Sequence, residues 1–347
     1  MKVKVGIAGV GNSTSTLIQG IRHYSGGKTT GGLWHPRVGG LTVKDIEVVA
    51  AFDVDSRKVG LDLSEGIFAK PNVGRKYLDV PRLGVEVQPG ISKGDVPPHL
   101  LNQKLSLSTT ERLSKTLATS GATILVNLVS SGTGKSSLEY AKAALEAGCS
   151  FVNCTPNLLV SRAALSHRFA KSRLCLAGDD LMSQFGGTIF HKGLLNLMVR
   201  RGIKISQSYQ LDVGGGSETL NTINEEIKMA KRRLKTSAVA QEVPYQFETV
   251  AGTTDFVDYL GNDRTSYFWF DGSGFLDSRI GVDVYLRSSD GANAANVLLD
   301  VIRALSAAGR SGRYGAIEEV CAYGFKSPPK RVNFDEAYTK FSSKFLP

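Results

Sequence analysis

Two lysines on one predicted helix are the first residues of this sequence that could do chemistry. Lys231 and Lys235 belong to the densest basic run of the chain, 228–235, and their i, i+4 spacing puts both on one helix face. Like charges that share a partly buried face favour the neutral amine, which suits proton transfer or oxyanion stabilisation. The same spacing also fits a solvated helix face or a nucleic-acid patch, so other residues have to decide between these alternatives.

A glycine-rich turn near the N-terminus is the second candidate. Gly9 and Gly11 follow a strand-like segment and precede a helical one, and a turn without Cβ atoms before a helix N-terminus suits a dinucleotide pyrophosphate. Asp53 ends the next apolar run, where a carboxylate can bind ribose hydroxyls, although loop 24–43 lengthens the usual spacing. Thr14 replaces the third small residue of the fingerprint. The pattern favours a dinucleotide site over an ordinary tight turn.

A second Gly/Ser-rich turn, 129–136, resembles a P-loop because it ends in Gly-Lys-Ser. Val129 stands where the first P-loop glycine belongs, so we do not expect ATP hydrolysis. We expect this turn, which includes Ser130 and Ser131, to cover the nicotinamide side of the same dinucleotide.

Several other polar residues are ambiguous by themselves. The carboxylates of Asp179 and Asp180 could hold a metal, bind a sugar hydroxyl or cap the next helix, and capping is the ordinary role. Lys326 precedes a rigid Pro-Pro segment. The five histidines show neither metal-binding nor triad-like spacing, and His191 on an apolar helix fits a core residue. The sequence therefore predicts no metal site.

The elements that must position these residues alternate between strands and helices over the first half of the chain. Apolar runs at 2–8, 46–52, 123–129, 151–152 and 174–176 predict a parallel, doubly wound sheet of the Rossmann type. Beyond 203, alternation at 204–213 and 267–286 predicts antiparallel strands with one solvated or oligomer face, in a second sheet that is mixed or antiparallel. A polar helix is expected at 218–237 and an amphipathic one at 294–307, with Gly/Pro-rich loops at 24–43 and 68–100.

Composition excludes some classes of protein and leaves others open. The 347 residues contain four scattered cysteines, which we expect to be reduced and buried, and no apolar run near the ~18 residues of a membrane span. The N-terminus is too short and too rich in glycine for a signal peptide, so we expect a cytoplasmic protein without a membrane partner. The net charge of +10 allows nucleic acid, an anionic lipid surface or a phosphorylated small molecule as the partner. The basic helix lacks the aromatics of a nucleic-acid surface.

Taken together, these segments resemble the myo-inositol-1-phosphate synthase family over nearly the whole chain. The resemblance rests on motifs in the same order as in the family: 6–12 with 17–20, 48–55, 151–156, 178–184, 213–221, 231–239, 289–293 and 323–329. It implies a regenerated NAD that oxidises carbon five of glucose 6-phosphate, so that the sugar enolises, closes on itself and is reduced to inositol phosphate. It also implies a homo-oligomer, specifically a tetramer.

The resemblance also implies roles for individual residues. Lys235 is expected to transfer the alkoxide proton, Lys231 and Lys326 to stabilise enolate and phosphate charge, and Asp290 to tune a lysine or contact the nicotinamide end. The implied substrate-binding residues are Ser183, Gln184, Asn221 and Arg264. The implied cofactor-binding residues are Gly9, Gly11, Asn12, Ser13, Asp53, Ser130, Ser131 and Asp180.

Four departures from the family pattern bear on the substrate. Met182 and Arg264 stand where the family has lysines, Gly216 replaces an asparagine, and Glu218 replaces an aspartate. Because a guanidinium does not deprotonate near neutral pH, Arg264 keeps the charge but cannot transfer a proton. A related cyclase acting on another sugar phosphate, such as fructose 6-phosphate closing to a five-membered ring, is therefore the main alternative. An NAD-dependent dehydrogenase and a non-catalytic NAD-binding relative are further alternatives.

We expect two domains. Residues 1–200 and 294–347 form the predicted NAD-binding domain, and residues 201–293 form an inserted α/β domain for catalysis and oligomerisation. The site is then expected where the two meet, at the carboxyl ends of the parallel strands.

Overall fold

The structure is a computed structural model that describes residues 2–27 and 29–347. The strands are β1 (Val3–Ala8), β2 (Ile46–Asp53), β3 (Val87–Pro89), β4 (Ile124–Asn127), β5 (Ser150–Asn153), β6 (Cys175–Ala177), β7 (Lys204–Gly214), β8 (Glu248–Phe256), β9 (Asp263–Ser273), β10 (Arg279–Ser289) and β11 (Gly315–Ala316). The α-helices are α1 (Asn12–Ser25), α2 (Leu63–Gly66), α3 (Thr110–Ser120), α4 (Gly134–Glu146), α5 (Ala163–Lys171), α6 (Gly187–Arg200), α7 (Ser217–Leu220), α8 (Glu225–Ala240), α9 (Asp290–Arg310), α10 (Glu318–Gly324) and α11 (Phe334–Phe345).

Seven strands form a parallel sheet in the order β11-β6-β5-β4-β1-β2-β3. The chain leaves β1 toward β2 and later returns to β4 on the other side of β1, which creates the switch point of a doubly wound sheet. Its central strands are continuous apolar runs because helices cover both faces, and Ile7, Leu125 and Phe151 are fully buried. The predicted Rossmann-type sheet is confirmed.

A second, four-stranded sheet has the order β10-β9-β7-β8. As predicted, β9 is antiparallel to β7, and the alternating stretch 267–286 is a hairpin of β9 and β10. β8 was not predicted, and it runs parallel to β7, so of the two expected sheet types the mixed one is confirmed. Helices α6 and α8 cover one face, where Leu195 and Val239 pack with Phe268 and Phe270.

The polar helix expected at 218–237 is divided. α7 ends at Leu220, a 3₁₀ turn follows at Asn221–Ile223, and α8 begins after Asn224. The Asn224 side chain accepts a hydrogen bond from the backbone N–H of Ile227, so it caps a new helix start. α8 therefore extends three residues beyond the predicted end, to Ala240.

The C-terminal helices contact the part of the long loop that contains His35 and Gly39 and hold it against the first sheet. α9 packs along α1, and its buried Asp300 accepts hydrogen bonds from Tyr323 and Arg303 and contacts His35 Nδ1, each at 2.6 Å. Gly39 has a φ of +56°, and a Cβ there would lie 2.2 Å from that of Ala307, so only glycine fits.

The surroundings of the cysteines and the apolar character of the helices bear on two further predictions. The four cysteines are free, with Cys149, Cys175 and Cys321 buried and Cys154 half-buried. Among the described residues no helix combines the length and apolar character that a membrane crossing requires.

Candidate active site

A cavity of about 190 Å³ opens at the carboxyl ends of β1, β4, β5 and β6, between the two sheets. The first sheet contributes the segments that directly follow these strands, and the second contributes the ends of β7 and β9 together with α8. The polar and charged side chains that line it include Asn12, Ser13, Ser130, Asp180, Ser183, Thr188, Asp212, Glu218, Lys231, Lys235, Arg264, Asp290 and Lys326. Ligands of doubly wound proteins bind at this edge of the sheet.

Two lysines of the cavity are paired with buried carboxylates. Lys235 Nζ lies 2.5 Å from Asp212 Oδ2, and the two side chains are 6% and 1% exposed. Lys326 Nζ donates to Asp180 Oδ1 at 2.6 Å and to the Leu181 carbonyl at 2.9 Å. Each ammonium is therefore held in place by a charged partner.

Two further cations are paired in the same way. Lys231 Nζ donates to Glu218 Oε1 at 2.9 Å, and Glu218 also accepts the backbone N–H of Ser131 at 3.1 Å. Arg264 Nη2 donates to Asp290 Oδ2 at 2.7 Å. Glu218 thus joins the turn after β4 to the lysine helix, and the cavity is lined by four cation–carboxylate pairs.

Burial and neighbouring charge act against each other on the central pair. Burial alone would raise the pKa of the Asp212 carboxyl, but Lys235 and Arg264 outweigh it and hold that pKa far below its usual range. Burial lowers the pKa of Lys235, and the positive charges of Arg264 and Lys326 add to the lowering against the opposing effect of Asp212. Lys235 is thereby brought closer to exchanging a proton at neutral pH.

The turn between β1 and α1 has the geometry of a dinucleotide cradle. Gly9 has a φ of +92°, and a Cβ there would lie 2.7 Å from the Leu128 carbonyl, so glycine is required. A Cβ on Gly11 would meet nothing within 4 Å, which leaves room for a ligand. α1 begins at Asn12 without a side-chain cap, so its first N–H groups remain available to an anion.

A second cavity of about 80 Å³ continues the groove past β2. It shares Gly11 and Ser130 with the first cavity and is lined further along by Asp53 and Lys58. Asp53 accepts the backbone N–H of Val10 at 2.7 Å, which fixes its carboxylate beside the turn. The two cavities therefore form one groove that extends from the turn to the carboxylate of Asp53.

The turn that resembles a P-loop presents no free phosphate cradle. The backbone N–H of Ser136 in the first turn of α4 donates to Asp95 Oδ2 at 2.9 Å, and the Ser136 hydroxyl bonds the same carboxylate. A carboxylate therefore occupies the place where a P-loop would hold phosphate.

The structure does not bring every expected residue to the cavity. Gln184 accepts a hydrogen bond from Asn296 at 2.6 Å and lines a separate cavity beside α1 and α9. The buried Asn221 faces His99, whose Nδ1 lies 2.8 Å from Asn221 Oδ1. Ser131 is also buried and reaches the site through its backbone bond to Glu218. The proposed contacts of Gln184 and Asn221 with substrate stay predictions.

The four residues that depart from the family pattern lie in different surroundings. Arg264, Gly216 and Glu218 line the cavity, whereas Met182 is 3% exposed and packs beneath it, with its N–H bonded to the Gly324 carbonyl. A Cβ on Gly216 would lie 3.5 Å from Asn12 Nδ2, so a larger side chain there would contact the nucleotide turn.

Asp212 is a site residue that the sequence reasoning missed. No sequence pattern pointed to it, because alternation places the polar residues Ser208, Gln210 and Asp212 of β7 on the solvated face, whereas the structure buries all three. A run of polar residues on the buried face of a strand requires partners inside the protein, and such partners cluster at sites. In the described part of the chain no group of three or more His, Cys, Asp or Glu side chains is arranged to hold a metal ion.

The fold and the site define a Rossmann-type α/β protein whose parallel sheet ends at a cavity of paired lysines and carboxylates. The chain belongs to the myo-inositol-1-phosphate synthase family. Residues 186–291 match the model of that family. The chain is 34% identical over 344 residues to inositol-3-phosphate synthase of Mycobacterium tuberculosis (strain ATCC 25618 / H37Rv), covering 97% of this chain and 94% of that protein.

Three other proteins are similar to the chain. Inositol-3-phosphate synthase of Corynebacterium glutamicum is 33% identical over 348 residues, with 96% of each chain covered. The crystal structure of Ari2 superposes with a TM-score of 0.80 at 31% identity over 99% of both chains. A myo-inositol-1-phosphate synthase-related protein from Thermotoga maritima shares the fold, with a TM-score of 0.85 at 21% identity over 99% of this chain and 98% of that one.

Proposed function

We propose that the chain is an NAD-dependent sugar-phosphate cyclase that converts glucose 6-phosphate to inositol phosphate by oxidation, enolisation, aldol closure and reduction. The observation that carries the proposal is the set of four cation–carboxylate pairs beside the dinucleotide turn. Enolate and alkoxide intermediates need positive charge that is already in place, and paired lysines in a mostly buried cavity provide it. The names of the family relatives agree with this reaction.

The groove along β1, β2 and β4 supports NAD as the cofactor. The Gly9–Gly11 turn would hold the pyrophosphate, Asp53 the ribose, and Ser130 the nicotinamide side. Bound NAD would supply hydride acceptance at the sugar carbon and hydride return after ring closure.

The chain's own residues would handle protons and charge. Lys235 would take the proton of the hydroxyl that is oxidised, since its side chain is the most buried of the three lysines and burial favours the neutral amine that can accept a proton. Lys231 and Lys326 would stabilise the enolate and the phosphate. α6 also begins at the cavity without a side-chain cap, and the buried Thr188 in its first turn adds a hydroxyl for a phosphate oxygen.

A second substrate is favoured by a specific observation. Arg264 replaces a family lysine and is held by Asp290 on one side, with Asp212 Oδ2 3.8 Å from its Nη1 on the other. A fixed guanidinium in place of a mobile amine changes the shape and proton chemistry of the cavity. The alternative is a cyclase that closes fructose 6-phosphate to a five-membered ring.

The deciding experiment incubates the purified protein with NAD and either glucose 6-phosphate or fructose 6-phosphate and identifies the product by ³¹P and ¹³C NMR. A six-membered inositol phosphate from glucose 6-phosphate supports the main proposal, and a five-membered cyclitol phosphate supports the alternative. Absorbance at ~340 nm should show no net NADH, because the hydride returns within one turnover. Stoichiometric NADH would instead indicate a dehydrogenase, and unchanged sugars would contradict both cyclase proposals.

A further inference from the structure

Asp212 is a central charge of the cavity, and the proposed reaction gives it no role of its own. Its side chain is 1% exposed, and its Oδ2 contacts both Lys235 Nζ at 2.5 Å and Arg264 Nη1 at 3.8 Å. A carboxylate this deeply buried is stable only when it is paired and hydrogen-bonded. The two cations beside it differ in one respect, since the amine can lose its proton and the guanidinium cannot.

Two hydrogen bonds to its second carboxylate oxygen fix the orientation of Asp212. Its Oδ1 accepts hydrogen bonds from Ser266 Oγ at 2.6 Å and from Gln210 Nε2 at 2.8 Å. Gln210 Oε1 in turn lies 3.3 Å from Nδ1 of His191, a residue of α6 that is fully buried against the second sheet. Burial lowers the pKa of His191 to about 4, so this ring stays neutral near pH 7 and adds no charge to the group.

If Lys235 lost its proton and Arg264 were absent, Asp212 would have no positively charged partner. The buried carboxylate would then keep only its neutral partners Ser266 and Gln210, which is unfavourable for a charge in the interior. Arg264 removes that cost because it stays charged and is itself held by Asp290 at 2.7 Å. The departure from lysine at position 264 thus has a physical explanation in this chain.

We propose that Asp212 is the positioning residue of Lys235 and that Arg264 is the permanent charge that keeps Asp212 ionised in both protonation states of Lys235. The inference rests on the proposed function, in which Lys235 exchanges the proton. In the oxidation, the O–H bond of the reacting hydroxyl breaks and its proton forms an N–H bond on the neutral Lys235 amine. The hydride of the same carbon goes to an oxidised nicotinamide dinucleotide, and the reduction reverses both transfers.

The charged groups that surround Lys235 among the described residues determine the expected pH behaviour. Asp212 comes from β7 and favours the ammonium, whereas Arg264 from β9 and Lys326 from the segment after α10 favour the neutral amine. Lys231 lies one turn earlier on α8 and is paired with Glu218. Removing Asp212 and removing Arg264 must therefore move the titration of Lys235 in opposite directions.

The test measures the titration of Lys235 directly, by the ¹³Cε and ¹⁵Nζ NMR shifts of lysine-labelled protein, with the signal assigned through Lys235→Arg. Asp212→Asn should move the midpoint of Lys235 to lower pH by about 1–3 units, since an opposite charge is lost at contact distance. Arg264→Gln should move it to higher pH. The acid limb of the rate profile should move in the same two directions. Glu139→Gln, which removes the partner of Lys142 at 2.7 Å on α4, is the matched control and should leave Lys235 unchanged.

The inference is overturned if the two midpoints move in the same direction or do not move. If Asp212→Asn fails to fold, Arg264→Gln decides alone, and an unmoved midpoint overturns the inference. Should the midpoints move apart while no sugar phosphate is converted, the charge arrangement stands and the proposed function fails. Conversion with unmoved midpoints supports the proposed function and contradicts the role of Asp212.

Discussion

Lys235 and the turn glycines lie in separate parts of the groove, so their effects should separate in single variants. Lys235→Ala is expected to abolish turnover while leaving the affinity for NAD nearly unchanged, because Lys235 lies on α8 and not on the β1–α1 turn. Turnover is followed by ³¹P NMR and NAD binding by titration calorimetry. Lys228→Ala on the same helix, which pairs only loosely with Glu225 at 3.8 Å, is the control and should retain both. Loss of NAD binding in Lys235→Ala would show that this helix is misplaced in the proposed site.

At the same scale, the sequence predicted the cations of the site better than their partners. The spacing of Lys231 and Lys235 placed both on one helix face, and the family resemblance, not the spacing, implied that this face lines the site. The match of Lys231 with Glu218 and of Lys235 with Asp212 depends on how α8 packs against the second sheet, which no local pattern encodes. Gln184 and Asn221 were expected at the site because they belong to family motifs. The structure turns both side chains elsewhere, since the order of motifs does not determine where a side chain points.

At the scale of elements, the β1–α1 turn allows a matched pair of substitutions. Gly9→Ala should destabilise the fold and abolish NAD binding, because its φ is +92° and the new Cβ would lie 2.7 Å from the Leu128 carbonyl. Gly11→Ala should keep the fold, since nothing lies within 4 Å of the new Cβ, and should weaken NAD binding by filling the cradle. Urea unfolding and calorimetry measure the two effects. Equal stability loss in both variants would contradict this view of the turn.

The contact of α6 with the second sheet gives a pH prediction. The pKa of His191 is lowered from 6.5 to about 4 by burial, so the unfolded chain binds its proton more readily than the folded one. The stability from neutral His191 is therefore complete above pH 6.5 and is lost as the pH falls toward 4. His191→Gln should remove this part of the acid sensitivity, about 3 kcal/mol at most, in the difference between variant and wild type. Unfolding midpoints between pH 7 and 4 measure it, and His167→Gln at an exposed position of α5 should show no such change.

Elements were predictable where their periodicity was local. The central parallel strands follow from uninterrupted apolar runs, and α1 follows from the helical spacing of its apolar residues. β8 was missed because its exposed end residues, Glu248 and Asp255, hide the buried middle. The division of the polar helix depends on the cap at Asn224, a single side chain inside an otherwise helical stretch. The domain boundary at residue 200 stays a prediction, and α6, which ends there, packs with the second sheet.

For the whole molecule, the uncovered face of the second sheet is the feature that the cavity does not explain. Tyr209 stacks on Trp269 with ring centroids 5.4 Å apart, and Tyr267 contacts Tyr285 at 5.3 Å, all on the side away from Phe268. Tyr285 is 70% exposed. Aromatic rows that face solvent on a sheet are typical of protein interfaces. Because paired strand residues point to the same side, the row runs across β7, β9 and β10.

We therefore predict that a second copy of the chain covers this face and that the protein is a homo-oligomer, as the family resemblance implies. Tyr285→Asp should dissociate the oligomer, since it puts a charge into an aromatic contact that must exclude water. Light scattering after size exclusion, at micromolar protein, measures the mass directly. Tyr259→Asp is the control, because Tyr259 is 86% exposed in a loop outside the aromatic row and should leave the mass unchanged. A monomeric wild type would contradict the prediction. If Tyr285→Asp dissociates the oligomer but keeps turnover, the cavity is complete within one chain, since the four ion pairs are all intramolecular.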